Sequence, residues 1–435
     1  MTEIRAFKGI RYNQAEVGDL SAVITPPYDV ISAEEEDWYW ERSPYNVIRL
    51  TLPRENGGNK YVTSAAFLRR WLSDGILIQD DKPALYAYQQ EFEALGRRMK
   101  RMGFTCLVRL EEFGKGSIFP HENIMAKPLE DRLNLLRATR ASFDSVFGLY
   151  HDTKVDPVLR RFADRKPDAS ATDRDGVRSD LWRISDPDAI SEITAHLERE
   201  QIVIADGHHR YTAALAYRNE MRELAGVPAH ARSEAPYDYL MMTLVAYEDP
   251  GLVVLPTHRL VRDVLGFDAE TLLARIGEIF DVREAPDERL EDEGERSGDF
   301  SFGVHLKEKS YIITLKPGVK PEQAIQSPGS DALKRLDVSV LHSLILDRFL
   351  GVGAQSLAAG SGRSNLTFTR DVAEGIRSVD RGEYQALFVM KPLKVEDVRT
   401  IATGGERMPQ KSTYFYPKLL TGLLMRVMPR LDASR

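Results

Sequence analysis

At 435 residues the chain is longer than one compact core organises, and the usual ~100–200 residues per domain predicts two or three domains. Its 43% hydrophobic and 29% charged residues exclude a mainly disordered or collagen-like chain, and a net charge of −7 excludes the broadly cationic face of non-specific nucleic-acid binding. One cysteine, Cys106, excludes a disulfide framework and any multi-thiolate metal site, and fits a reducing compartment.

No apolar run approaches the ~20 residues that cross a bilayer, and the N-terminus has no apolar signal core, so a cytoplasmic protein without a membrane partner is expected. Three regions are expected: an N-terminal segment 1–83, a central α/β core 84–265 and a C-terminal α+β region 266–435. In the first, the Pro-rich run 25–31 predicts fixed, extended backbone. Ser32 and Glu35 have the spacing of a capping box before a short helix, and Phe67, Leu68, Trp71 and Leu72 form an apolar stripe on a helix over 60–73. Residues 84–92 and 100–113 are strand-like and flank a turn at Gly96, predicting a hairpin.

Further along, 128–139 predicts a basic amphipathic helix, while the polar, aperiodic stretch 161–180 predicts a surface excursion. A short strand over 181–184, a helix over 188–199 and a buried strand over 201–205 follow. Next come an Ala- and Leu-rich helix to about Leu224 and an apolar strand over 239–247. The acidic segment 284–299 predicts a mobile loop or linker, 300–306 and 311–315 a second hairpin, and 336–350 an amphipathic helix. A strand over 384–390 and a terminal helix over 418–428 complete the expectations. Hairpins mixed with helices give an α+β (mixed α/β) class with antiparallel-rich sheets.

The most informative stretch is Asp206-Gly207-His208-His209-Arg210, directly after the apolar strand. Gly207 permits a backbone conformation closed to other residues, and a helix start offers unpaired N–H groups and a positive dipole end to an anion. His208, His209 and Arg210 add side-chain donors, and an arginine grips a phosphate with two parallel hydrogen bonds. Asp206 has the opposite sign; it can hold Mg²⁺, orient a substrate, accept a proton, or simply cap the helix. Secondary candidates are His121 with Glu122, as base or metal ligand, then His258 with Arg259, and Lys411 near the C-terminus. A stable metal site is not expected, because no His-Glu-x-x-His helix or paired-cysteine spacing occurs; neither does a Walker-type phosphate loop or a Gly-x-Ser-x-Gly elbow. The flexible turn at 360–364 could cover a ligand.

The run 205–214 resembles the signature of the family called domain of unknown function 1015. The resemblance extends through 26–31, 120–122 with 131–133, 256–260 and 409–418. Gly-x-His-Arg at a helix start is also similar to the ParB/sulfiredoxin-like superfamily, whose members bind nucleotide phosphates at that turn and include kinases of free serine. The resemblance implies a small-molecule kinase using ATP or ADP with Mg²⁺, and free serine or a similar hydroxy compound as leading acceptor. Gly207, His208, His209 and Arg210 would hold the phosphates, with Asp206, Glu122 and His208 as catalytic candidates. His121, His258, Arg259 and Lys411 would support the substrate. The alternatives are a non-catalytic nucleotide-binding regulatory protein and a metal-assisted hydrolase. A small-molecule partner is expected, with no nucleic acid and no membrane, and the oligomeric state stays open.

Overall fold

A computed structural model describes residues 1–429 apart from 56–57, 125, 152–153, 229–230, 293–299 and 353–364. The chain forms two compact units: Met1–Pro120 with Ile124–Val253 and Pro417–Arg435, and His121–Asn123 with Val254–Tyr416.

The first unit is organised by a nine-stranded sheet. Its strands are β1 (Ile4–Arg5), β2 (Leu85–Ala94), β3 (Arg97–Arg109), β4 (Ile118–Pro120), β5 (Val146–Tyr150), β6 (Ala169–Thr172), β7 (Arg178–Ile184), β8 (Ile202–Asp206) and β9 (Tyr239–Ala246). They run in the order β4-β8-β5-β9-β3-β2-β7-β6, with β1 also pairing β3. Only β4–β8 and β5–β9 are parallel. The β2–β3 hairpin turns on Leu95 and Gly96, both at positive φ, as a two-residue loop matched to strand twist requires. Around the sheet lie α1 (Ala33–Arg42), α2 (Lys60–Ser73), α3 (Ala126–Thr139), α4 (Val155–Ala163), α5 (Pro187–Leu197) and α6 (His208–Leu224). Leu85, Phe104, Cys106, Ile202, Ile204, Tyr211 and Met242 belong to one continuous buried core.

Local signals read correctly. Ser32 and Glu35 form the capping box of α1, α2 spans the expected residues, and the Gly96 hairpin is present. Three expectations are corrected. Segment 161–180 is not mainly a surface excursion: it holds the end of α4, all of β6, where Ala169 and Ala171 are buried, and the start of β7, where Ser179 and Asp180 are buried in succession. Segment 418–428 is not helical. Thr421 exchanges backbone hydrogen bonds with Thr25, Met425 with Ile10, and Gly422 sits at φ 91° against Val47. Its leucines are buried on every side, so periodicity could not separate helix from extended chain. The 25–31 run is extended through Pro27 but then makes a 3-10 turn over Tyr28–Val30.

The second unit has a wholly antiparallel six-stranded sheet. Its strands are β10 (His258–Val261), β11 (Phe280–Ala285), β12 (Ser301–Leu306), β13 (Lys309–Leu315), β14 (Leu366–Thr369) and β15 (Ala386–Val389), in the order β11-β13-β12-β15-β10-β14. The β12–β13 hairpin is the second one expected. The same unit contains helices α7 (Ala269–Ile279), α8 (Val372–Asp380) and α9 (Val395–Thr403). The helix expected over 336–350 is present but uneven: Asp337–Leu341 is α, His342–Asp347 is a π-helical turn, and Arg348–Leu350 is α again. Of the acidic segment, Glu284 and Ala285 close β11 and Leu290 is fully buried; residues 293–299 lie outside the described residues, as does the turn at 360–364. The class is α+β with antiparallel-rich sheets. Among the described residues no helix is long and apolar enough to cross a membrane.

Candidate functional site

Strand β8 buries Ile202, Val203 and Ile204 between β4 and β5. Its register with β5 slips between Ile204 and Asp206, the kind of irregularity that re-aims a side chain at a strand end. Gly207 then takes φ 92° and ψ 28°, left-handed geometry that a side chain disfavours, and its carbonyl accepts the first helical bond from Tyr211 N–H at 2.9 Å. A Cβ here would also stand 2.9 Å from Arg210 Nη2, so the guanidinium lies against the glycine backbone. Because Gly207 occupies the N-cap position, Asp206 does not cap the helix.

Asp206 is instead an ion-pair hub. Its Oδ2 accepts from Arg210 Nη2 at 2.6 Å, and its Oδ1 accepts from Lys418 Nζ. Arg210 Nη1 donates to the Ser145 carbonyl at 2.7 Å and lies 3.0 Å from Asp144 Oδ2. Burial alone would raise the pKa of Asp206, but Lys418, Arg210 and, more weakly, His208 hold it far below the usual carboxylate range. Asp144 goes the other way: burial pushes it up, against the opposing pull of Arg210 and Arg132. Thus two carboxylates share one guanidinium while their environments drive their proton affinities apart. That split is how a site separates a permanently ionised acid from a proton acceptor.

Lys418 is fixed by its neighbours. Buried Arg101 donates to the Pro417 carbonyl at 2.6 Å and to Gln90 Oε1, while Gln90 Nε2 donates to the Lys418 carbonyl at 2.9 Å. Arg101 stacks on Phe147, 4.7 Å from the ring centroid, and burial lowers its pKa to about 10. Beside Arg210, a cavity of about 50 Å³ is lined by Thr51, Arg132, Phe143, Asp144 and Leu240 among others. It has room for water or one small group. Arg132 donates to the Thr51 carbonyl at 2.9 Å and lies over the Tyr28 ring at 3.9 Å. His208 is buried at the start of α6 and His209 is half-buried beside it.

The secondary candidates all lie in the second unit. His121 is fully buried, 2.9 Å from Thr413 Oγ1 and 3.9 Å from Glu122 Oε1. Glu122 pairs in a parallel bridge with Met408, whose N–H donates to the His121 carbonyl at 2.8 Å. His258 Nδ1 accepts from Met390 N–H at 3.0 Å. Arg259 is fully buried; it donates to the Thr257 carbonyl, to the Lys411 carbonyl at 3.3 Å and to His342 Nε2 at 3.3 Å. Burial lowers Arg259 to about 10, Glu122 opposing, and burial with Arg259 lowers His342 to about 3. His121, Glu122, Arg259 and the Lys411 backbone therefore share one neighbourhood, and the Lys411 side chain is exposed.

Sequence reasoning missed Asp144, Lys418, Arg101 and His342. Lys418 closes the 409–418 run, so that motif carried a signal that was read only at Lys411; Asp144, Arg101 and His342 stand in no motif. Among the described residues no group of three or more His, Cys, Asp or Glu side chains is arranged to hold a metal ion.

No curated protein matches the chain. Among solved structures, a conserved hypothetical protein from Pyrococcus furiosus is 16% identical with a TM-score of 0.32, over 70% of this chain and 90% of that one. A free serine kinase in complex with AMP is 16% identical with a TM-score of 0.33, over 70% and 88%. SbnI with a C-terminal truncation, from Staphylococcus aureus, is 10% identical with a TM-score of 0.32, over 75% and 84%. Likenesses at these TM-scores carry no conclusion about this chain. The sequence model of one family, by contrast, matches residues 4–339, most of the length, and includes the Asp206–Arg210 turn. The chain belongs to the family described as "Protein of unknown function (DUF1015)".

Proposed function

We propose that the protein is a small-molecule phosphotransferase that binds a nucleoside di- or triphosphate at the Asp206–Arg210 turn and phosphorylates a hydroxy compound, with free serine as the leading acceptor. The observation that carries this reading is the split pair of carboxylates on Arg210, set beside Lys418 at a glycine-initiated helix start. Phosphoryl transfer asks mainly for positioning and charge neutralisation, which such a set of groups supplies. The acceptor hydroxyl oxygen forms a bond to the terminal phosphorus, and the bond from that phosphorus to the nucleotide oxygen breaks. The hydroxyl proton passes to a carboxylate, for which Asp144 is the candidate in this unit, and the shortened nucleotide leaves. Lys418, Arg210, His208 and His209 neutralise phosphate charge, and the Gly207 backbone lets the phosphate come close.

Asp206 fits a magnesium ion that arrives on the phosphates, since such ions need only one or two protein carboxylates. The ion would supply further charge neutralisation there. Glu122, His121, His258, Arg259 and Lys411, all in the second unit, stay candidates on the family resemblance alone.

One observation favours the regulatory alternative: both Asp206 oxygens are already occupied by cations, as in a counter-ion held ready for exchange with a phosphate. A thermal-shift series tests the shared premise. ADP and ATP, with and without Mg²⁺, should raise the melting temperature of the parent chain, and Arg210→Met and Lys418→Met should reduce that shift. No shift with any nucleotide would sink both readings.

A further inference from the structure

In the first unit a cavity of about 370 Å³, lined by none of residues 206–210, opens between α2, the end of α3 and the C-terminal segment. Its volume is that of a small-organic-molecule site. On one side it is lined by Ala65, Leu68, Arg69 and Leu72, one face of α2 at i, i+3, i+4 and i+7 spacing. Ala138, Val427 and Met428 continue the apolar wall.

Arg140 lines the same cavity at the point where α3 ends. Its backbone stands at φ 53°, in the left-handed position that follows a helix and usually holds glycine. The backbone is pinned there: Arg140 N–H donates to Leu136 at 2.8 Å, and its carbonyl accepts from Met428 N–H at 2.9 Å. Its Nη1 is buried with no hydrogen-bond partner among the described residues. A guanidinium set among Ala65, Leu68, Leu72, Ala138, Val427 and Met428 gives a largely apolar wall one positive charge, which selects an anionic head on an apolar ligand. Arg69, exposed on the α2 side, adds a second positive charge.

We propose that this cavity binds an amphipathic anion, a carboxylate head on a short hydrocarbon chain, with the head on Arg140 and the chain along Leu68, Leu72, Val427 and Met428. The assignment does not rest on the phosphotransfer reading. Octanoate is the probe, titrated calorimetrically into the full chain, with octylamine and inorganic phosphate as controls. Octanoate should bind one-to-one and saturably, while neither control competes. Arg140→Gly suits the local backbone and should keep the parent melting temperature, yet weaken octanoate at least tenfold; Arg140→Gln serves the same purpose if the glycine variant does not fold. The proposal is overturned if the parent shows no saturable octanoate binding, if affinity survives both Arg140 variants, or if octylamine or phosphate competes equally.

Discussion

Replacing Asp206 by Asn is expected to tighten nucleotide binding in the absence of Mg²⁺. In the parent, an arriving phosphate competes with the Asp206 carboxylate for Arg210 Nη2, 2.6 Å away, and for Lys418 Nζ. Each such charge-assisted hydrogen bond is worth about 1.5–3 kcal/mol. The amide keeps the size of the side chain but holds the two cations far more weakly. Freeing the equivalent of one contact corresponds to roughly 10- to 150-fold, at about 1.4 kcal/mol per tenfold. The lower end is expected, because the parent phosphate also keeps part of its contact with the cations. Calorimetric titration of ADP into parent and Asp206→Asn at low salt, each with and without Mg²⁺, separates the terms. The variant should bind metal-free ADP about tenfold more tightly, gain little from Mg²⁺, and lose turnover. Metal-free affinity equal to or weaker than the parent's would refute the idea that Asp206 is an internal competitor for the phosphate.

Further expectations follow from the same geometry. The folded-state pKa of Asp206 is depressed, so its stabilising contribution is complete above the unfolded value of about 3.9 and is lost as pH falls below it. Melting temperatures of the parent should therefore drop more steeply than those of Asp206→Asn as the pH is lowered from 5 to 3, and parallel curves would contradict this. Asp144 has the opposite sign: its raised pKa means stability declines as pH rises past the unfolded value, so Asp144→Asn should match or exceed the parent melting temperature at pH 7. If Asp144 is the proton acceptor, the same variant should lose about 10²-fold or more in turnover. Gly207→Ala meets left-handed backbone and the Arg210 guanidinium together, and should cost roughly 1–3 kcal/mol in equilibrium unfolding; a change below about 0.5 kcal/mol would show that the turn relaxes freely. His342, held neutral by burial and Arg259, should show no ring-proton titration between pH 8 and pH 5 by NMR.

What the sequence made legible was local. The capping box at Ser32, the stripe of α2, the two hairpins and the strand-glycine-helix junction at 206–210 are each encoded within a few neighbouring residues. The charges around that junction were not legible, because sheet pairing and burial, rather than spacing, bring them in. Lys418 lies 212 residues from Asp206 along the chain, and Asp144 is presented by the loop before β5, a strand that pairs with β8. The role of 418–428 was misread for a related reason. A chain buried on all sides has no polar face to report its period, so the bridges to Ile10 and Thr25 decide its form. Aperiodic polarity also misled at 161–180, where Ser170, Thr172 and Arg178 face outward but the polar Ser179 and Asp180 are buried, so polarity did not report exposure.

The most direct test of the central claim is product formation, followed by phosphorus NMR, when the purified full chain is incubated with ATP or ADP, Mg²⁺ and free serine. A new phosphomonoester resonance is expected, with matching loss of the terminal nucleotide phosphate, and with transfer abolished in Asp206→Asn although that variant still binds ADP. Nucleotide binding with no transfer to serine or to a panel of other hydroxy compounds would contradict the phosphotransferase account and leave the turn as a sensor.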